Sequence, residues 1–468
     1  MTSCVGSAGA DEDSETSLGW RCGIVVEVAA AAPPWQLLLA PWPRHFSHYN
    51  FWSTRYNGSI RIGGIGMAAR RQWLLGGLAI TMWYVWAFVR LLPPASVAHG
   101  IILNHYRTWA FGHLAYSDIF ALYGNHSLFN HGLPYIVTPI EYPVLMGVIM
   151  WLAAWATTAV GFYAVTATLL WISALAAYWG FVQWRPQKAW AFALTPLLLT
   201  YGLLNWDVMG IALMVSAAWL YHQKKFDASA VMFAAAVFFK FFPLFYLPFI
   251  IVELWRQGER RRLYRMTAIF GVVSAVINVP FALLNFNNWF LFFGYNAGRS
   301  VSADVWNNAL IHLNSVPAVD LISLALVVIT LIATVRIVWR GGSMYQAAAL
   351  LFSMFLFVNK VFSPQYMLWL MAYGIIAEWP WDSLAILSGV GLIDYVNSMT
   401  ILHLFRDPAE QQAANWYAGT VFPLGILARY LGLAAGAALA MVKTAQKDAS
   451  PHIGASRTET EASLSTEF

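Results

Sequence analysis

Long apolar runs separated by short polar or basic stretches dominate this chain. A membrane-spanning helix needs about 20 apolar residues. The first clear run of that length extends from Trp73 to Leu92. Others recur at about 142–183, 189–221, 228–254, 266–285, 318–338, 344–358, 365–379, 383–404 and 418–442. Several exceed one crossing and must hold two spans or broken helices. No pattern of short alternating strands recurs, and a backbone exposed to lipid must satisfy its own hydrogen bonds. The expected fold is therefore all-α. It is a polytopic transmembrane helix bundle of roughly 10–12 spans, at about 20 residues each, with a long first extracytoplasmic loop at about 94–139.

The two ends differ from the rest. Residues 1–66 mix acids, Pro and Trp without a span-length apolar run, and read as a poorly ordered extension or an upstream start that is not used. Met67, followed by Ala68, Ala69, Arg70 and Arg71, resembles a natural beginning for a membrane protein. The run after Arg71 is span-length, which argues against a cleavable signal peptide. The expected bundle occupies residues 67–442. The tail, 443–468, is polar and Ser/Thr/Glu-rich and reads as disordered and cytoplasmic.

Composition narrows the function classes. The 468 residues are 59% hydrophobic, 16% aromatic and 10% charged, with mean hydropathy +0.58. A soluble domain averages about 25% charged residues. An ordinary soluble enzyme, a disordered chain and a nucleic-acid binder are excluded, and membrane lipids are the expected surroundings. The net charge of +5 resides in short clusters between apolar runs, the pattern of cytoplasmic loops. Arg70 and Arg71, His222 to Lys225, the five arginines from Arg256 to Arg265, Arg336 with Arg340, and Lys443 mark that side. Segments near 111–143, 205–207, 286–308, 359–366 and 394–407 then fall on the outer side. One conflict remains: 142–183 reads as two spans, yet Arg185 and Lys188 suggest a cytoplasmic end. Either a re-entrant piece lies there or those two charges are external.

Some chemistries find no support. Cys4 and Cys22 cannot form a disulfide framework or a Cys-rich metal site. Asn57 and Asn125 match the glycosylation acceptor pattern, which recurs by chance. His105, His113, His126 and His131 lack metal-ligand spacing. No P-loop or dinucleotide glycine fingerprint is present, so nothing calls for ATP, a nucleotide sugar or any other cofactor.

Carboxylates are scarce. Thirteen fall between residues 67 and 442. Those expected near the outer face are Asp118, Glu141, Asp207, Asp304, Asp394 and Asp407. Charge near a membrane interior is costly, which makes each a functional candidate, with structural pairing to a nearby cation as the alternative. The first outer loop carries Tyr116-Ser117-Asp118-Ile119 and then Glu141-Tyr142-Pro143. Aromatic rings beside carboxylates suit sugar binding, and a carboxylate there can act as general base on a hydroxyl. An aromatic belt at the membrane interface is the plainer reading of the tyrosines alone.

Cations make a second group. Lys240 stands alone in Val237-Phe238-Phe239-Lys240-Phe241-Phe242-Pro243. Lys360 lies in Asn359-Lys360-Val361-Phe362-Ser363-Pro364-Gln365-Tyr366, and Arg299 in the loop before Ser300. Outer-side cations run against the positive-inside trend, and a lipid phosphate would explain them. Snorkelling to the interface is the alternative for Lys240. Asn205-Trp206-Asp207 interrupts an apolar stretch and either orients a substrate hydroxyl or pairs with Lys240.

These motifs, in this order, resemble glycosyltransferase family 87, membrane enzymes of actinobacteria in the GT-C superfamily. The resemblance covers roughly residues 74–440, and the Asn359–Tyr366 motif is its most specific part. It implies a GT-C bundle whose active site faces the extracytoplasmic side of the plasma membrane. It also implies a polyprenyl-phosphate sugar donor, typically mannose, and a cell-envelope glycolipid or lipoglycan as acceptor, with related enzymes transferring arabinofuranose. The essential first-loop Asp of GT-C enzymes matches Asp118, with Glu141 its neighbour by motif. Substrate contacts would come from Tyr116, Tyr142, Asn205, Asp207, Lys240, Arg299, Asn359, Lys360, Gln365 and Tyr366, the cations lying near the donor phosphate. Inversion at the anomeric carbon is implied; nothing in the residues requires a metal, although some GT-C enzymes use one. The phenylalanines around Lys240 depart from the smaller residues expected there. A polytopic transporter or flippase for a lipid-phosphate-linked substrate is the competing reading, but it would favour inverted repeats, and none is evident. An inactive scaffold subunit of an envelope-synthesis complex is a third.

Overall fold

The computed structural model describes residues 67–99 and 106–449. Residues 1–66, with Cys4, Cys22 and Asn57, lie outside the described residues, as do His105 and the tail from residue 450. The helices that frame the site are α1 (Met67–Leu91), α2 (Tyr106–Gly112), α3 (Asp118–Asn125), α4 (Val144–Ala154), α5 (Ala159–Trp184), α6 (Pro186–Leu194) and α7 (Leu197–Tyr201). They continue with α8 (Asp207–His222), α9 (Phe226–Phe239), α10 (Leu247–Arg256), α11 (Arg260–Leu284), α12 (Phe286–Gly298) and α13 (Val316–Trp339). The last are α14 (Met344–Val358), α15 (Tyr366–Ile376), α16 (Trp381–Leu404) and α17 (Val421–Ala449). Among the described residues there is no named strand, only an isolated bridge between Pro134 and Thr138. The chain is thus an all-α bundle of the polytopic membrane type.

Six helices, α1, α5, α11, α13, α16 and α17, are long and apolar enough to cross a membrane. Five more apolar helices, α4, α8, α9, α14 and α15, have only 10–17 residues. The sequence places polar motifs inside its apolar runs, and the helices stop at them. Asn205-Trp206-Asp207 precedes α8, and the Asp207 backbone N–H donates to Asn205 Oδ1 at 2.9 Å. Lys240 is extended, with φ −157° and ψ 134°, and ends α9. Pro243 then sits in a 3₁₀ turn, Phe242–Tyr246, because proline supplies no N–H to an α-helix interior. Asn359 and Lys360 follow α14, and Gln365 precedes α15.

Side-chain contacts sort the helix ends into two sets. At one end Gln72 donates to the Pro186 carbonyl, Arg185 pairs with Glu378 at 3.1 Å, and Lys443 pairs with Asp382. Trp184 stacks on His222, and Tyr221 bonds Glu253. Arg265 pairs with Asp227, close in sequence to Lys224 and Lys225, and Arg256 approaches Gly341, next to Arg340, so the basic clusters of the described residues meet here. At the opposite end, Arg90 donates to the Leu114 and Leu199 carbonyls, and Asp118, Asp207, Lys240 and Tyr366 gather.

This sorting settles the conflict around residues 142–183 in favour of a non-crossing piece. The 11 residues of α4 span about 16 Å at about 1.5 Å per residue, roughly half a bilayer core of about 30 Å. Both of its ends are held by the first loop. Tyr135 Oη donates to the carbonyls of Tyr142 at 2.9 Å and Pro143 at 2.8 Å, and Trp151 Nε1 donates to the His131 carbonyl at 3.0 Å. Just beyond α4, Tyr123 Oη donates to the Thr157 carbonyl at 3.2 Å. The chain therefore turns back at Thr158, whose side chain caps α5 by accepting from Gly161 N–H. Helix α5 then runs to Arg185 at the basic end.

The fit of α4 against Tyr135 depends on Gly147, where a Cβ would collide with the Tyr135 ring and hydroxyl. Tyr135 is 1% exposed and cannot swing aside without losing both of its bonds. Gly147→Ala should destabilise the protein by about 1–3 kcal/mol, read as a lower melting temperature in detergent. An unchanged melting temperature would contradict this packing.

Candidate functional site

The site is assembled by a seam between the first loop and the turn before α8. Ser117 caps α3 by accepting from Ile119 N–H at 3.3 Å. The same hydroxyl donates to the Leu203 carbonyl at 2.7 Å, and Asp118 N–H donates to the Leu204 carbonyl at 2.7 Å. Ser117 is fully buried. These bonds fix Asp118 against Asn205-Trp206-Asp207.

Around the seam, charges are closely matched. Lys240 pairs with the fully buried Asp207, and its ammonium lies 5.2 Å from the Tyr366 ring centroid and 5.6 Å from that of Phe242. Tyr116 donates to Asp118 Oδ1 at 2.8 Å. Burial pushes the Asp118 carboxyl up to about 6; the Tyr116 bond and the Lys240 charge act against that rise, while Asp207 adds to it and Arg107 opposes it. Burial and the carboxylates of Asp118 and Glu141 push the Tyr142 phenol well up. A carboxyl that titrates near neutrality can take a proton from a hydroxyl at physiological pH.

Glu141 lies 3.0 Å from His126 Nε2. Burial would raise its carboxyl, but the His126 hydrogen bond and charge, its own backbone and Arg299 together bring it below the usual range. Glu141 therefore stays ionised while Asp118 carries the titratable proton. Of the buried polar atoms without a hydrogen-bond partner among the described residues, Asn205 Nδ2, a donor, and Asp207 Oδ2, an acceptor, lie at the seam beside Trp206 Nε1. Their place beside Asp118 suits this amide donor and this carboxylate acceptor to sugar hydroxyls.

The other expected residues separate. Asn359 closes on its own turn, donating from Nδ2 to the Val361 carbonyl at 2.9 Å. Gln365 is buried at the start of α15. Lys360 is committed elsewhere, donating at 3.0 Å each to Asp320 Oδ2 and the Ala297 carbonyl. Arg299 touches the Tyr295 ring, 5.4 Å from its centroid, and makes no ion pair among the described residues. Asp304 and Asp394 both meet Arg429, whereas Asp407 caps a short turn by accepting from Ala409 N–H at 3.0 Å.

Several residues escaped the sequence reading. Arg107 is the one basic residue of Arg or Lys type in the first loop, a signal that could have marked it. Arg429 is a lone charge within an apolar run, the same signal that marked Lys240. Asp320 bears that signal too, in the run at 318–338, whereas His126, weighed only as a metal ligand, carries none that points to Glu141.

Residues 138–364 match the family model of glycosyltransferase family 87. No curated protein matches the chain. The match takes in Glu141, Tyr142, Asn205, Asp207, Lys240, Arg299, Asn359 and Lys360. Tyr116 and Asp118 precede it, and Gln365 and Tyr366 follow it.

The buried pair makes a stability prediction. Lys240→Met strands the Asp207 carboxylate and should cost about 3–5 kcal/mol. Lys240→Met combined with Asp207→Asn removes both charges and should recover most of that loss. Melting of the two purified variants checks this, and a single variant as stable as wild type would contradict the pairing.

Proposed function

From the premise that this chain carries a glycosyltransferase family 87 domain and is a multi-pass membrane glycosyltransferase, we propose that it transfers mannose from a polyprenyl-phosphate donor to a cell-envelope glycolipid or lipoglycan. The transfer takes place at the extracytoplasmic face of the plasma membrane, on a GT-C scaffold. The observation that carries this reading is the placement of Asp118 beside Asp207–Lys240 and the two unpartnered polar atoms of Asn205 and Asp207.

The acceptor hydroxyl attacks the anomeric carbon of the donor sugar while the bond from that carbon to the phosphate oxygen breaks. Asp118 takes the hydroxyl proton, and the lipid phosphate departs with the bonding pair. A phosphate is already a good leaving group, so no strong general acid is needed. Cations beside it stabilise the charge that develops on the leaving oxygen. Arg299 is free of carboxylate partners for that role, and Lys240 adds its charge from the Asp207 side. Asn205 and Asp207 orient sugar hydroxyls, with Tyr116, Tyr142 and Tyr366 as ring surfaces. As the base, Asp118 lies on the acceptor's side, and attack from that side, opposite the departing phosphate, inverts the anomeric carbon.

The test is transfer by purified protein given radiolabelled polyprenyl-phosphate mannose and a panel of envelope glycolipids. Wild type should form labelled glycolipid, and Asp118→Asn should lose at least about 10²–10⁴-fold, the usual contribution of a positioned base. Absence of product with mannose and arabinose donors alike would overturn the reading, and donor movement across the bilayer without a new glycosidic bond would favour a transporter.

The pH dependence has a defined sign. The base works as carboxylate, so transfer should rise with pH through an apparent pKa near about 6. The Tyr116 hydrogen bond stabilises that carboxylate, so Tyr116→Phe should move the acid limb to higher pH. An acid limb that stays in place or moves down would contradict the assignment.

A further inference from the structure

Two buried cations hold one short segment of main chain. Lys360, 8% exposed, donates to the carbonyl of Ala297 and to Asp320. Arg429, fully buried on α17, donates to the carbonyl of Asp304 and pairs with the carboxylates of Asp304 at 3.5 Å and Asp394 at 2.9 Å. Residues 297–304 thus form a strap pinned at both ends. Between the pins, Ser302 N–H donates to the Lys360 carbonyl at 2.9 Å. The strap needs these anchors because α12, which leads into it, buries no residue of its own.

Arg299 lies on the strap between the pins. It is the strap's only cation, and its charge reaches both Glu141 and Asp304. A buried ion pair costs desolvation and is weak evidence for stability alone. Here each cation gives one bond to a carbonyl of the same eight-residue stretch. The guanidinium of Arg429 also lies 4.2 Å from the Phe362 ring centroid, in the segment that ends at Tyr366.

We propose that Arg429 and Lys360 are positioning residues: they pin the strap at Asp304 and Ala297 and so hold Arg299 over the site to meet the phosphate of the donor. This assignment rests on the transfer reaction proposed above. It moves Lys360 from phosphate contact to support, and it gives Arg429 a role through Arg299.

The experiment uses the full chain with Cys4 and Cys22 replaced by serine and a spin label on Ser300→Cys. Arg429→Met is combined with Asp394→Asn, so that no unpaired charge stays buried between them. In wild type the label should be immobilised, and in the paired variant it should become mobile while the melting transition stays cooperative. Transfer assays on unlabelled protein form the second arm. The paired variant should lower kcat/KM for the donor by at least about tenfold, with part of the loss in kcat because Arg299 meets charge that develops on the leaving oxygen, as should Arg299→Gln. Combining them should add little further, because residues that act as a unit are non-additive. Lys360→Met with Asp320→Asn should repeat the pattern at the other pin. An immobile label in the paired variant would overturn the strap. A mobile label with unchanged donor kcat/KM, or effects on kcat/KM that multiply in the combined variant, would overturn the positioning of Arg299. If wild type transfers nothing, the transfer reading fails by itself, and the label still decides whether the strap exists.

Discussion

Helices in an apolar bundle cannot stop at membrane depth unless something satisfies the freed backbone and the charges placed there. That constraint organises this structure. The chain interrupts its apolar runs at Asn205–Asp207, at Lys240–Pro243 and at Asn359–Gln365, and four short helices, α8, α9, α14 and α15, end or begin there. Asp207 answers Lys240, Asn205 answers the Asp207 backbone, and Tyr366 lies against the Lys240 ammonium. The first loop then closes on this layer through Ser117 and Asp118, which bond the carbonyls of Leu203 and Leu204. Without that seam, Asp118 would have no fixed relation to the rest.

The same economy appears at the other polar layer. Arg429 is fully buried, yet two carboxylates, one carbonyl and two aromatic faces surround it. Lys360 has a carboxylate and a carbonyl. Charges that are matched internally shape the backbone, and those left unmatched, such as Arg299, are available to a substrate.

Much of this was legible in the sequence. Run lengths and basic punctuation gave the helical bundle and the clustering of the polar motifs at one end, because hydrophobicity and helix length are local properties. The pairing of Asp207 with Lys240 was one of two roles the motifs allowed; the contact forms through Oδ1, while Oδ2 is left unpartnered. The short α4 was harder: its composition is that of a span, and only its 11 residues and the Tyr135 and Trp151 bonds show that it turns back. Lys360 read as a phosphate contact; its partner Asp320, forty residues earlier, is a lone charge in an apolar run with nothing local that points to Lys360. Arg429 was overlooked although it bears the signal of a lone charge in an apolar run. Partners of this kind are set by helix packing, which a single sequence does not encode locally.

The central claim is that Asp118, Asn205, Asp207 and Arg299 surround one reacting sugar phosphate. A structure of the Asp118→Asn variant with bound polyprenyl-phosphate mannose tests this most directly. The account predicts the donor phosphate beside Arg299 and sugar hydroxyls within hydrogen-bonding reach of Asn205 Nδ2 and Asp207 Oδ2. A donor seated away from the Asp118–Asp207 seam, with both atoms still unpartnered, would contradict it.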